Sequence, residues 1–176
     1  AGAAGPALPF LFQRTANDTP FVQGKHRIRN ESAANKSVDT MPARALWELG
    51  ADISPAGSIA KFHEENPDRF INVGVAEQCM IGISAGMALK GLRPFAYTIA
   101  TFTLYRPFEM VRDDLCYQNL PVTVVGMGSG IVYSTLGSTH HTQEDIAVMS
   151  ALPNMSIIAP CDPSETEAAT WACAAH

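Results

Sequence analysis

The feature that most restricts the fold is an alternation that sets in near residue 44 and persists to the end of the sequence. Short, almost continuously apolar runs ("RFINVGV", "RPFAYTIA", "PVTVVGMGS", "NMSIIAP") take turns with longer stretches that carry helix-start and helix-stop signals. A strand that is apolar on both faces must be covered on both faces, which is the habit of parallel sheets. Parallel neighbours need a crossover connection, usually a helix. The expectation is an α/β domain with three layers, α/β/α, around a central, mostly parallel sheet.

The punctuation supports that reading. "RALWELGADI" opens the alternation as a strand closed by the loop "SPAGS", and "IAKFHEENPD" reads as a short helix stopped by Pro67. "AEQCMIGISAGMALKG" is a helix with Gly91 past its end, and "LYRPFEMVRDDLCYQN" one with Pro107 in its first turn. "QEDIAVMSALP" and "DPSETEAATWACAAH" complete the helices, the last opened by Asp162 and Pro163 and running to His176 without a stop signal, as though cut there. Residues 1–43 lack any sustained period, so they are expected to form an irregular N-terminal arm with room for one helix around "RNESAANKSVDTM". The domain proper is expected over residues 44–176.

Charge then limits the partners. A net charge of −5 and a pI near 5.4 argue against nucleic acid as the main partner. No apolar run reaches the roughly 18 residues of a membrane span. The opening "AGAAGPALPFLF" lacks the basic region of a secretory signal, which points to the cytoplasm. The four cysteines show no Cys-x-x-Cys spacing and three lie in apolar surroundings, so reduced core thiols are expected rather than zinc. Only 16% of residues are charged, which suits a chain that buries surface against a partner or one with a large core, the partner being the favoured reading.

In open α/β sheets, ligands gather beyond the carboxyl ends of the strands. Glu77, the "TIATF" segment and the "GSTHH" loop all fall at such ends. Glu77 is unusual: it stands at the mouth of an apolar helix with no nearby base in sequence to neutralise it. The helix dipole would favour an acid there, but a buried, unpaired charge is costly. Such a carboxyl takes a raised pKa or finds a polar ligand.

The stretch "DRFINVGVAEQCMIGISAGMAL" resembles the signature of the transketolase family in its pyrimidine-binding domain. The likeness continues through "GLRPFAYTIATF" and "GSTHHTQEDIAVMSALPNMSIIAPCDPSE", covering residues 50–176 and hardly touching the first 45. The resemblance implies a thiamine diphosphate enzyme that moves a two-carbon ketol unit between sugars or sugar phosphates. It makes Glu77 the acid that hydrogen-bonds the ring nitrogen of the cofactor's aminopyrimidine, a proton relay suited to a low-dielectric pocket.

The same resemblance assigns further residues. Phe102 and Tyr105 stand where the family keeps rings around the aminopyrimidine, with Ile99 at a third, often aromatic position; Ile99 and Phe102 are otherwise ordinary core, and Tyr105 is otherwise a surface residue at a helix start. His140 matches the histidine facing the reacting carbon, while His141 replaces the usual glutamine as a capping or substrate-side residue. Asp52 matches an aspartate near the cofactor pocket, although an Asp before Ser-Pro also makes a good turn. Arg106 faces the active site or a subunit contact, Arg69 forms a structural ion pair, and Asp145 supports its helix. Leu136 departs from the pattern: many transketolases have there an aspartate that binds the acceptor's α-hydroxyl, a hydrogen bond of about 1.5–3 kcal/mol.

The family's diphosphate and its divalent metal, Mg2+ or Ca2+, sit on another domain bearing Gly-Asp-Gly and a downstream Asn. No Gly-Asp-Gly occurs in these 176 residues, and "GMGSGIV" has the wrong spacing for a phosphate cradle. The family's small C-terminal domain is absent from the sequence as well. The resemblance thus implies one half of a split enzyme, completed by a diphosphate-binding partner chain in an α2β2 assembly. The competing enzymes are a 1-deoxyxylulose-5-phosphate synthase or the β chain of a 2-oxo acid dehydrogenase. A degenerate domain that only scaffolds or regulates a partner is the non-enzymatic alternative.

Overall fold

The computed structural model describes residues 10–13, 46–52 and 58–175. Its strands are β1 (Phe10–Gln13), β2 (Leu46–Gly50), β3 (Phe70–Asn72), β4 (Arg93–Ile99), β5 (Thr123–Met127) and β6 (Ser156–Ile158). The helices are α1 (Ser58–Glu65), α2 (Glu77–Leu89), α3 (Ala100–Leu104), α4 (Phe108–Met110), α5 (Asp145–Ser150) and α6 (Pro163–Ala175). α4 runs on as a π-helical segment, Val111–Tyr117, and two 3-10 turns, Ser134–Leu136 and Ser138–His140, shape the loop after β5.

The six strands form one sheet in the order β3-β2-β4-β5-β1-β6, and every strand pair is parallel. The α/β architecture expected from the alternation is therefore the observed one. Two elements differ from expectation. Phe10–Gln13, placed in an irregular arm by its composition, is a strand paired with β5 and β6. The single helix expected over 104–119 is instead broken between Leu104 and Phe108. Pro107 has no N–H to donate to the preceding turn and so separates α3 from α4. The helix expected around "RNESAANKSVDTM" lies outside the described residues.

Register sorts the residues between the faces. Ile71, Leu49, Ala96 and Val124 lie in one row across β3, β2, β4 and β5. Leu49, Ala96 and Val124 belong to the main core, with Met80, Ile81 and Ala85 of α2, Leu115 and Cys116 of the π-helical segment, and Met149 of α5. The next row, Phe70, Glu48, Phe95 and Thr123, faces the other way. That face holds a smaller cluster around Tyr97, Val125 and Ala169 of α6. It also holds a cavity of about 210 Å³ lined by Glu48, Phe62, Phe95, Tyr97 and Trp171, among others.

Of the four cysteines, all free, Cys116 and Cys173 are buried and Cys79 and Cys161 are exposed. The expectation of core thiols thus holds for half of them. Cys79 is exposed because α2, apolar nearly all round, turns Gln78, Cys79, Gly82, Gly86 and Leu89 outward. Among the described residues no helix is long and apolar enough to cross a membrane.

Candidate active site

β2 connects leftward to β3, whereas β4 connects rightward to β5, so the connections diverge between β2 and β4. Such a switch point leaves a crevice at the carboxyl ends of the two strands. The strand ends are stitched there: Thr98 Oγ1 donates to the Ala51 carbonyl at 3.0 Å, and Ala51 N–H to the Tyr97 carbonyl at 3.3 Å. Asp52 follows directly, exposed and with a φ of 53°, a left-handed geometry that Asp tolerates better than most residues. Ile99 ends β4, and the Thr103 hydroxyl, with one proton to donate, lies 3.0–3.3 Å from the carbonyls of Thr98, Ile99 and Val125. That hydroxyl fixes the turn by which β4 passes into α3.

Glu77 is the first residue of α2. The turn before it is built by Asn72 Oδ1, which accepts the Gly74 N–H at 2.8 Å, with Gly74 at a φ of +66°. The turn aims the Glu77 side chain inward, where it is 7% exposed. The base missing from its sequence neighbourhood arrives from the turn just past α3. Arg106 Nη1 donates to Glu77 Oε1 at 2.7 Å, so the expectation of an acid without a neighbouring base is corrected by the tertiary fold. The same guanidinium lies over the Phe102 ring, its carbon 3.9 Å from the centroid. Phe102 in turn meets His140 edge-on, with ring centroids 5.1 Å apart.

Glu77, Arg106, Phe102 and His140 therefore form one contiguous chain of contacts. His140 shares a 2.9 Å hydrogen bond between its Nδ1 and Thr139 Oγ1, and Tyr133 stands edge-on to it at 6.2 Å. The buried Nε2 of His141 has no hydrogen-bond partner. Tyr105, expected beside Phe102, turns instead to Glu144, donating its hydroxyl at 3.0 Å. Desolvation and then the Glu144 carboxylate push the Tyr105 phenol up to about 12, so it remains a donor. Leu136 is exposed at the end of a 3-10 turn. Among the described residues no cluster of three His, Cys, Asp or Glu side chains is placed to hold a metal ion.

Two supports go beyond what the sequence announced. Asp145, expected only to support its helix, is buried at the start of α5, where it accepts from Ser129 Oγ at 3.0 Å and from the Ile146 N–H at 2.6 Å. It thereby anchors the glycine-rich loop to the helix behind His140. Gly128, at a φ of +83°, packs so tightly on the Tyr133 ring that an added Cβ would collide with it. The only signal for either contact was the glycine run itself.

Residues 41–176 match the pyrimidine-binding domain of transketolase. The chain belongs to that family. Within it, the chain is 41% identical over 134 residues to a subunit of an apulose-4-phosphate transketolase from Actinobacillus succinogenes, a match that spans 76% of this chain and 41% of that one. It is 48% identical over 99 residues to a 1-deoxy-D-xylulose-5-phosphate synthase from Clostridium perfringens, spanning 56% of this chain and 16% of that one. A solved structure described as "Split gene transketolase, inactive beta4 tetramer" superposes with a TM-score of 0.66 at 34% identity, covering 80% of this chain and 46% of that one. This pyrimidine-binding domain spans about two fifths of the length of the transketolase subunit it matches.

Proposed function

We propose that this pyrimidine-binding domain is part of a split, thiamine diphosphate-dependent transketolase that moves a two-carbon ketol unit between sugars or sugar phosphates. One observation carries the reading: a buried carboxyl, a phenyl face and an imidazole are joined in one line of contacts, through Arg106, beyond the carboxyl ends of the strands in a chain from this family. The split arrangement draws support from two relatives, one described as a transketolase subunit and one as a split-gene enzyme. A partner chain with Gly-Asp-Gly and a downstream Asn would hold the diphosphate and its Mg2+ or Ca2+. Two such pairs would form the α2β2 enzyme, working in the cytoplasm.

The residues present fit the aminopyrimidine. A planar group carrying N–H donors, the Arg106 guanidinium, already sits between the Glu77 carboxylate and the Phe102 face. A flat heterocycle with ring-nitrogen chemistry suits the same two partners. When bound, thiamine diphosphate supplies an acidic thiazolium carbon for attack on a ketone. This chain's part is to hold a proton at the Glu77 carboxyl against the ring nitrogen and to offer Phe102 as a stacking face. Ile99 and Asp52 shape the strand ends beside it, and Tyr105 braces the α3–α4 junction through Glu144. His140 holds or moves a proton at the reacting oxygen, and His141 is read as a substrate-side residue; Arg106 would join it there once it leaves its position between Glu77 and Phe102.

Leu136 offers no hydrogen bond where many family members place an aspartate, so the acceptor is expected to differ at its α-carbon. The test is an assay of the chain reconstituted with its diphosphate-binding partner. Ketose cleavage without pyruvate decarboxylation supports the reading. Pyruvate decarboxylation would instead favour the synthase, the second reading, which the 48% identity over 99 residues keeps in view. Activity untouched by Glu77→Gln would leave only a scaffold.

A further inference from the structure

The guanidinium of Arg106 makes two contacts at once: an ion pair of 2.7 Å with Glu77 and a stacked position 3.9 Å above the Phe102 ring. Those are the carboxylate and the ring face that the proposed function assigns to the aminopyrimidine. We propose that Arg106 is a place-holder in the pyrimidine site: a self-supplied cation that keeps Glu77 paired until the cofactor ring displaces it. The inference rests on the proposed function and adds to it a competition between a residue and the cofactor for one position.

Both the need and the means are visible. Glu77 is 7% exposed, and a carboxylate left unpaired at that burial would be destabilising. Arg106 prevents this without being locked in, because its own side chain is 46% exposed. Its backbone is fixed from both sides. The Arg106 carbonyl accepts from Gln78 Nε2 at 3.3 Å, and the neighbouring Tyr105 is held by Glu144. The outward step is therefore a rotation of one side chain about a fixed backbone. A long, flexible arginine on an anchored peptide is suited to that.

Displacement has a thermodynamic signature. Cofactor binding must break the ion pair and the cation–ring contact, so Arg106 lowers apparent affinity. Arg106→Met removes the competitor, keeps an apolar stem over Phe102, and leaves Glu77 seeking a donor. Expected is a gain of about tenfold in cofactor affinity. Arg106→Lys, which keeps the charge but not the flat fork, should fall between the two.

The experiment measures thiamine diphosphate binding with Mg2+, by calorimetry, to the complex of the full chain with its diphosphate-binding partner. Wild type, Arg106→Met, Glu77→Gln and the double variant form a cycle. Affinity that rises in Arg106→Met but not when the same change is made on Glu77→Gln supports the place-holder. So does an advantage of Arg106→Met that shrinks at high salt, because the pair in wild type is open to screening from its half-exposed Arg106 end. Equal or weaker binding by Arg106→Met, with wild type binding normally, overturns the place-holder and leaves the proposed function standing. Failure of every form to bind the cofactor overturns both.

Discussion

Replacing Glu48 by glutamine should stabilise the domain, and by a margin that grows with pH. Glu48 sits mid-strand in β2 at 8% exposure and lines the cavity beneath α6. Its Oε1 has no hydrogen-bond partner. Burial raises its carboxyl from an ordinary 4.5 to about 8. Between those values the folded chain keeps a proton that the unfolded chain releases, so stability falls as pH rises. The penalty is absent below about pH 4.5 and complete above about pH 8. A gap of about 3.5 pH units, at about 1.4 kcal/mol each, makes it about 5 kcal/mol at the alkaline end and about 3 kcal/mol at pH 7. That is a large share of a typical stability of about 5–15 kcal/mol. Glutamine keeps the shape and removes the proton equilibrium. Urea unfolding of both proteins between pH 5 and pH 8, followed by tryptophan fluorescence, should show the variant's advantage widening by about 1.4 kcal/mol per pH unit. An advantage that stays constant across that range would refute the argument.

Other substitutions probe the crevice. If the proposed function holds, Glu77→Gln lowers the turnover of the complex reconstituted with a diphosphate-binding partner by about a hundredfold or more while leaving its thermal midpoint near wild type, read by steady-state assay and scanning calorimetry. Phe102→Leu should weaken cofactor binding by about 0.5–1.5 kcal/mol, the stacking share of an aromatic face, measured as a shift in its dissociation constant. Gly128→Ala forces a Cβ into the Tyr133 ring at a left-handed φ of +83°. It should cost about 1–3 kcal/mol of stability and, by moving Tyr133 off His140, reduce activity; a variant indistinguishable from wild type in both would remove Tyr133 as the support of His140.

The fold was legible wherever information was local. Strands β2 to β6 announced themselves as apolar runs, and the helices between them as capped or proline-bounded stretches. β1 did not, because four residues in an Ala- and Pro-rich segment carry no period, and their strand character comes from pairing with β5 and β6. Of the expected site, Glu77, Phe102 and His140 are brought together, and Tyr105 is drawn to a partner 39 residues away. The Arg106–Glu77 pair spans 29 residues and was equally invisible to local pattern. Glu48 did leave a signal: a charged residue inside an otherwise apolar strand is either paired or neutral when buried, and here it is raised towards neutrality.

Topology explains why these residues meet. The crossovers β3 to β4, β4 to β5 and β5 to β6 all step in the same direction along the sheet. Right-handed crossovers stepping in one direction must lie on one face. Accordingly α2, the π-helical segment and α5 share a single core with Leu49, Ala96 and Val124. Each of those connections begins at the carboxyl end of its strand, so their first turns crowd the same edge. Glu77 opens α2, Phe102 lies in α3, and His140 precedes Asp145 at the head of α5. An acid, a ring and an imidazole far apart in sequence become neighbours because each occupies the corresponding place in a repeated unit. A substitution within one first turn therefore acts on a neighbour contributed by another, which is why Arg106, just past α3 near the start of the second unit, can hold the acid that opens the first.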